Sequence, residues 1–217
     1  MTSFRSLCGL ALLLVFAGCY GAMQVSPDAP RSAGGLTPKI EDKDAGLVNL
    51  VPGFDITRYS TIAVATFPVT DKMEDDGDRR FAAEMSQFFQ GELVRRLRAS
   101  GLFQRVVNLG ETEFTPGPND RVLRLEGDIT RLGRGSQVMR MMWGGYGAGR
   151  ARAQADMRFV DPASGRVVMV TADRRVASQG GAFGGSDREH LHESFDDMAR
   201  DLAKFLVRLS KGEAPKH

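Results

Sequence analysis

The chain has 217 residues, of which 29 are Lys or Arg and 27 are Asp or Glu, so its formal net charge at pH 7 is only +2. This near-neutral balance means that any basic surface must come from local clustering. The only two cysteines, Cys8 and Cys19, both lie near the amino terminus, which excludes a disulfide framework in the rest of the chain.

Residues 1–18 are typical of a secretory signal peptide: Arg5 precedes an apolar stretch of about ten residues, which is too short to cross a bilayer. Residues 16–19, Phe-Ala-Gly-Cys, resemble the bacterial lipobox, in which the cysteine receives a diacylglycerol and the chain is cut just before it. We therefore predict that acyl chains, such as palmitate, attach Cys19 to a membrane. An ordinary secretory signal is the alternative.

Tyr20 follows this cysteine, at the position where many Gram-negative lipoproteins have an Asp that retains them in the inner membrane. Its presence favours an outer-membrane location facing the periplasm. An exported chain meets no chromosomal DNA and little ATP, so no nucleic-acid partner and no cofactor are expected.

Residues 19–57 are expected to form the lipidated cysteine and a flexible tether, because Pro, Ser, Gly and charged residues dominate them. A tether of about 38 residues has a typical end-to-end distance of about 34 Å, which would hold a domain well clear of its membrane. An extra strand or turn is the alternative at the apolar residues Leu47, Val48, Leu50 and Val51.

One globular domain is predicted from residue 58 to residue 212, followed by a tail at 213–217. Short apolar runs and alternating patterns predict strands at 61–67, 103–109, 121–134, 150–160 and 165–178. Apolar residues three and four apart predict one helix at 79–99 and a second that begins after Ser186, which forms a capping box with Glu189, and ends at Gly212. The order β-α-β-β-β-β-α predicts an α+β fold, a two-layer sandwich in which a mostly antiparallel mixed sheet carries two helices on one face.

The strand at 150–160 combines two alternating patterns. Ala151, Ala153 and Ala155 point to one side, and such small side chains predict a helix packed close above the strand. Arginines point to the other side, within a region, 121–175, that contains 11 Arg and five acidic residues. We predict that these arginines and the loop before them form a partner-binding surface. Its candidate arginines are Arg150, Arg152 and Arg158, and the candidate residues of the loop, which we call the Met-Trp loop, are Met141, Met142, Trp143 and Tyr146.

The arginines would suit an acidic protein partner, lipid headgroups or the carboxylates of peptidoglycan. The alternatives are an ordinary solvated sheet face with cross-strand ion pairs, and a loop that folds over the core. The glycines of residues 144–149 do not predict a nucleotide site, because Arg150 stands where GxGxxG needs its third glycine and a strand pattern follows. They predict a turn between two strands.

Two further clusters carry titratable side chains, and neither predicts catalysis or a metal site. His190 and His192 are two positions apart and would point to different sides of a helix, while the neighbouring acids suit its first turn. The acidic residues of 71–78 are expected to form a solvated turn, since no matched acid and base accompany them. We therefore predict no catalytic residue, no metal ligand and no enzymatic activity.

Four stretches follow one another along the chain: PGFDITRYSTIAVATF, VRRLRASGLFQRV, LRLEGDITRLGRG and GYGAGRARAQADMRFVDPASGRVV. Together, from about Pro52 to Leu209, they resemble a bacterial lipoprotein family of unknown function, domain-of-unknown-function family forty-four-ten. No catalytic residues are established for that family, so the resemblance assigns none to this chain. We expect a lipid-anchored, non-enzymatic envelope domain that binds a protein partner of an assembly or transport system; the alternative is a structural module that binds peptidoglycan or forms homo-oligomers.

Overall fold

The computed structural model describes residues 22–117, 120–133, 151–177 and 186–216. These residues form one eight-stranded sheet and two long helices. The strands are β1 (Met23–Val25), β2 (Ile40–Asp42), β3 (Gly46–Leu50), β4 (Thr61–Val64), β5 (Arg105–Asn108), β6 (Val122–Gly133), β7 (Arg152–Asp161) and β8 (Arg166–Val176). The helices are α1 (Asp76–Ser100) and α2 (Asp187–Ser210), and a short 3-10 turn spans Ile56–Arg58.

The sheet is mixed but mostly antiparallel. Its strand order is β2-β3-β8-β7-β6-β4-β5, and β1 also pairs with β8. β4 is parallel to both β5 and β6, whereas the other strand pairs are antiparallel. Both helices share one hydrophobic core with the sheet. These findings confirm the predicted α+β fold, with its mostly antiparallel mixed sheet and its helical layer.

Both helices begin and end close to where the local sequence predicts. The Asp75 carboxylate caps α1 by accepting a hydrogen bond from the backbone N–H of Asp78 at 2.8 Å, and Gly101 ends the helix with a left-handed φ of 65°. The predicted capping box of Ser186 and Glu189 is present at the start of α2. Each helix buries one apolar stripe: Phe81, Met85, Phe89, Leu93 and Leu97 in α1, and Leu191, Phe195, Met198, Leu202 and Phe205 in α2.

Two alanines of β7, and the alanine directly before the strand, lie under a helix, as their size predicts. Ala151, Ala153 and Ala155 are fully buried and belong to the core that α2 also lines. Cα atoms of α2 come within 8 Å of Cα atoms of β7. An alanine has no side chain beyond its methyl group, so the helix backbone can approach the strand closely.

Residues 22–57 do not form the predicted flexible tether. β1 pairs with the end of β8, where Met23 lies opposite Val176, and β3 pairs farther along β8, where the fully buried Val48 lies opposite Thr171. The tether prediction is therefore wrong for this segment, and β3 confirms the alternative of an extra strand. β1 and β2 have only three residues each, too few to show a period. β1 pairs directly with β8, a strand near the other end of the chain, and β2 pairs with β3, which itself pairs with β8.

Gly127 lets β6 and β7 approach closely, because a Cβ added there would lie 2.2 Å from the carbonyl oxygen of Asp156. We predict that Gly127→Ala lowers the free energy of unfolding by about 1–3 kcal/mol, since the backbone must shift. Gly91→Ala is the control in α1, where an added Cβ has nothing within 4 Å; helix propensity should raise its stability by about 1 kcal/mol. Urea denaturation measures the free energy of unfolding of both variants. If Gly127→Ala had the same free energy of unfolding as the natural protein, the close approach of β6 and β7 would be contradicted.

Candidate functional site

Two arginines of the predicted surface, Arg152 and Arg158, lie within the described residues, and both are on β7. They point to the sheet face opposite the helices, because successive residues of a strand alternate and the alanines between them face the core. The other predicted residues lie outside the described part of the chain, so their roles stay predictions: Arg150, Met141, Met142, Trp143, Tyr146 and the lipid-attachment residue Cys19.

The face that carries Arg152 and Arg158 is not open along its whole length. Residues 26–36, which we call the strap, cross it. The side-chain amide of Gln154 accepts a hydrogen bond from the N–H of Asp28 at 2.7 Å and donates one to the carbonyl oxygen of Asp28 at 2.9 Å. Gln154 is fully buried, so the strap supplies partners that its amide would otherwise lack.

Two arginines extend this attachment to the neighbouring strands. The guanidinium of Arg31 in the strap donates to the Asp128 carboxylate on β6 at 3.1 Å and to the Thr70 hydroxyl at 3.0 Å. On β8, Arg174 donates to the Asp28 carboxylate at 2.6 Å. The strap therefore binds β6, β7 and β8. One arginine of the predicted basic region, Arg174, is thereby engaged in a contact within the protein.

The strap also passes between the two predicted binding residues. Gln154 and Asp156, which both hydrogen-bond the strap, lie between Arg152 and Arg158 along β7. Arg152 and Arg158 are six positions apart, which corresponds to about 20 Å along a strand. Burial raises the pKa of Asp156, and this effect outweighs the lowering of the pKa by hydrogen bonds from the Gln154 amide and a strap N–H. Contrary to the prediction, the structure does not join Arg152 and Arg158 in one open surface.

Arg158 belongs to a small cluster with Arg124 and Glu126, which we call the arginine cluster. The Nε of Arg158 donates to one Glu126 oxygen at 2.7 Å, and the Nε of Arg124 lies 2.8 Å from the other oxygen. The side chains of Arg124 and Arg158 are 49% and 39% exposed. Two guanidinium groups share one carboxylate, so the cluster keeps a positive charge. The predicted alternative of cross-strand ion pairs is present here, and Arg152 is exposed.

Arg175, which the sequence groups with the basic sheet, instead faces the helices. It is 4% exposed, and its guanidinium pairs with Asp173 at 2.8 Å and with Asp201 on α2 at 3.2 Å. Burial raises the pKa of Asp173. Although burial also acts on Asp201, hydrogen bonds from Arg200 and Lys204 hold its pKa below the ordinary value. Sequence reasoning missed this buried cluster; the alternation of β8, which puts Asp173 and Arg175 on one side, was the available signal.

The other titratable clusters have roles within the fold. Asp75 caps α1, and the Asp71 carboxylate accepts a hydrogen bond from the N–H of Leu132 at 2.9 Å. The ring of His192 stacks on that of Phe88 with centroids 4.1 Å apart. Within the described ranges, no three His, Cys, Asp or Glu side chains are grouped so as to hold a metal ion, and no helix is long and apolar enough to cross a membrane.

These features define a two-layer α+β domain whose sheet is partly covered by its own amino-terminal segment. A family model with the description "Domain of unknown function (DUF4410)" matches residues 56–190. The chain therefore belongs to this family, which confirms the resemblance that the four sequence stretches indicate.

Three solved structures are similar to this chain at low identity. The PelC dodecamer from Paraburkholderia phytofirmans is 16% identical with a TM-score of 0.43, and the match covers 70% of this chain and 98% of that one. A DUF330 protein from Xanthomonas campestris is 10% identical with a TM-score of 0.45, over 81% and 95% of the two chains. A predicted lipoprotein from Caulobacter crescentus is 17% identical with a TM-score of 0.34, over 74% and 96%. Comparison with curated proteins gave no significant match.

We predict that Gln154→Ala releases the strap, because the change removes both hydrogen bonds to Asp28. The Asp28 amide should lose protection from hydrogen exchange, and the free energy of unfolding should fall by about 1–3 kcal/mol. Gln104→Ala, at an exposed position, is the matched control and should alter neither quantity. An unchanged exchange rate at Asp28 would show that Gln154 does not hold the strap.

Proposed function

We propose that this chain is a lipid-anchored, non-enzymatic domain of the bacterial cell envelope, attached through Cys19 to the outer membrane and facing the periplasm. The observation that carries this proposal is the lipobox at residues 16–19, followed by Tyr20 in place of Asp. A diacylglycerol on the thiol supplies two acyl chains and an acyl group on the new amine supplies a third, and two chains are already enough for stable attachment.

The roles of the titratable groups within the fold support a binding function over catalysis. Arg175 and Asp173 form an ion pair in the core, and His192 stacks on an aromatic ring. A general acid or base must reach a proton on a substrate, whereas these groups are engaged by other parts of the chain.

The binding function that we propose is recognition of an acidic protein partner of an envelope assembly or transport system. Two exposed sites on the sheet support it. One is Arg152, which begins β7 directly after the segment that contains the predicted Met-Trp loop, and the other is the arginine cluster. Guanidinium groups offer paired N–H donors that match a carboxylate. Because the strap separates the two sites, they would contact different parts of the partner.

Cys19→Ser is expected to abolish lipidation, because the hydroxyl group cannot replace the thiol that receives the diacylglycerol. Cells grown with labelled palmitate should incorporate it into the natural chain and into Cys8→Ser, the matched control in the signal peptide, but not into Cys19→Ser. Palmitate on Cys19→Ser would contradict the anchor; so would its absence from the natural chain.

Arg152→Glu and Arg158→Glu are each expected to reduce crosslinking to the partner several-fold in cells, because a carboxylate repels an acidic surface. Arg80→Glu, at an exposed position of α1, is the control and should leave the crosslinked proteins unchanged. If both sheet variants give the same crosslinks as the natural chain, the sheet face is not the partner site. Crosslinks only between copies of this chain would favour the homo-oligomer alternative, and retention on purified sacculi the peptidoglycan alternative.

A further inference from the structure

The fold holds the chain firmly at the point where the described residues begin. Ala22 is only 7% exposed, and its backbone N–H donates to the Asp197 carboxylate on α2 at 3.0 Å. The other oxygen of that carboxylate pairs with Arg200 at 2.5 Å. The next residue, Met23, begins β1 and pairs with Val176 at the end of β8. The entry of the chain into the domain is therefore attached to both layers.

Only Tyr20 and Gly21 separate Ala22 from Cys19. Consecutive Cα atoms are about 3.8 Å apart, so the Cα atom of Ala22 lies at most roughly 11 Å from that of Cys19. The headgroup region of one leaflet is about 5–8 Å thick. If Cys19 carries acyl chains, as the proposed function has it, the surface around Ala22 must lie close to the headgroups.

A groove of about 570 Å³ is connected to this entry point through one side chain, Arg200. It runs between the carboxyl-terminal parts of α1 and α2 and the β2–β3 turn. Arg200, which pairs with the carboxylate that binds Ala22, forms one of its walls. Most of its charged lining is basic: Lys43, Arg96, Arg200, Lys204 and Arg208, with the acidic residue Asp44.

Around Arg200 and Lys204 the cations face solvent and the carboxylates lie beneath them. The Lys204 and Arg200 side chains are 54% and 38% exposed, whereas those of their partners Asp201 and Asp197 are 10% and 7% exposed. A guanidinium group has five N–H donors and an ammonium group three, which is more than these carboxylates use. The outward donors can therefore bind an acceptor from outside the protein.

We propose that this groove faces the membrane and binds the phosphate groups of phospholipid headgroups, so that the domain lies directly on its membrane. Phosphate oxygens are strong acceptors for guanidinium and ammonium donors. The turn between β7 and β8, which we call the distal turn, is remote from the entry point. Val176 lies beside the entry point, and ten residues of strand, about 33 Å, separate it from Arg166 at the start of β8.

Two alanine-to-cysteine variants test this orientation, since the chain has no natural cysteine after Cys19. Ala99→Cys places a thiol in the groove, and Ala163→Cys is the matched control in the distal turn; both alanines are exposed. Each lipidated protein, with a fluorophore on the new thiol, is placed in phosphatidylethanolamine–phosphatidylglycerol vesicles that contain a headgroup spin label. Quenching should be several-fold stronger at residue 99 than at residue 163. Equal quenching overturns the orientation.

Binding of phosphate by the groove has its own test. Replacing Lys43 and Lys204 by Gln in the Ala99→Cys protein removes two groove cations and keeps the contact between Ala22 and Asp197. Quenching at residue 99 should then fall at least twofold. Lys72→Gln, at an exposed position outside the groove, is the control and should leave the quenching unchanged. Undiminished quenching in the double variant overturns headgroup binding by these side chains.

The palmitate experiment separates failure of this proposal from failure of the proposed function. Palmitate on Cys19 together with equal quenching at residues 99 and 163 retains the anchor and overturns the orientation. A natural chain without palmitate overturns the anchor and, with it, the orientation that rests on it.

Discussion

The close approach of α2 to β7 depends on alanine, and both faces of the sheet are organised around that strand. Ala153 and Ala155 present only methyl groups to the core, which lets the helix lie near the strand backbone. Gln154 and Asp156, the residues that alternate with them, point to the opposite face and bind the strap. Because a strand has a period of two, one short segment supports the helical layer on one side and the amino-terminal segment on the other.

Long-range contacts of this kind also determine where the chain enters the domain. β1 and β3 exist because β8 offers them hydrogen-bond partners, and Ala22 is held by α2. Nearby, the ion pairs of Arg175 connect β8 to α2. Such buried pairs add little net stability, but loss of one partner leaves an uncompensated charge. They therefore favour this one arrangement of strand, helix and amino terminus.

The proposed membrane contact and the proposed protein contact lie on different sides of the molecule. The groove lies on the helical layer beside the entry of the chain, whereas the arginine cluster lies on the sheet face opposite the helices. A domain whose helical side rests on a membrane leaves the sheet side free for a protein. The outward direction of Arg152 and Arg158 could be predicted from the strand period alone. Their separation by the strap could not, because the strap residues lie more than a hundred positions earlier in the chain.

Features whose causes lie within a few residues could be predicted without the structure. The capping box of α2, the apolar stripe of α1 and the alternation of β7 all follow from such neighbours, because helix and strand periods are local properties. Three other features appear only in the folded chain: β1, β2 and β3 join the sheet, the strap covers part of the arginine face, and Arg175 points to the core. Each of these depends on a partner far along the chain, and composition does not reveal which of two faces such a partner will occupy.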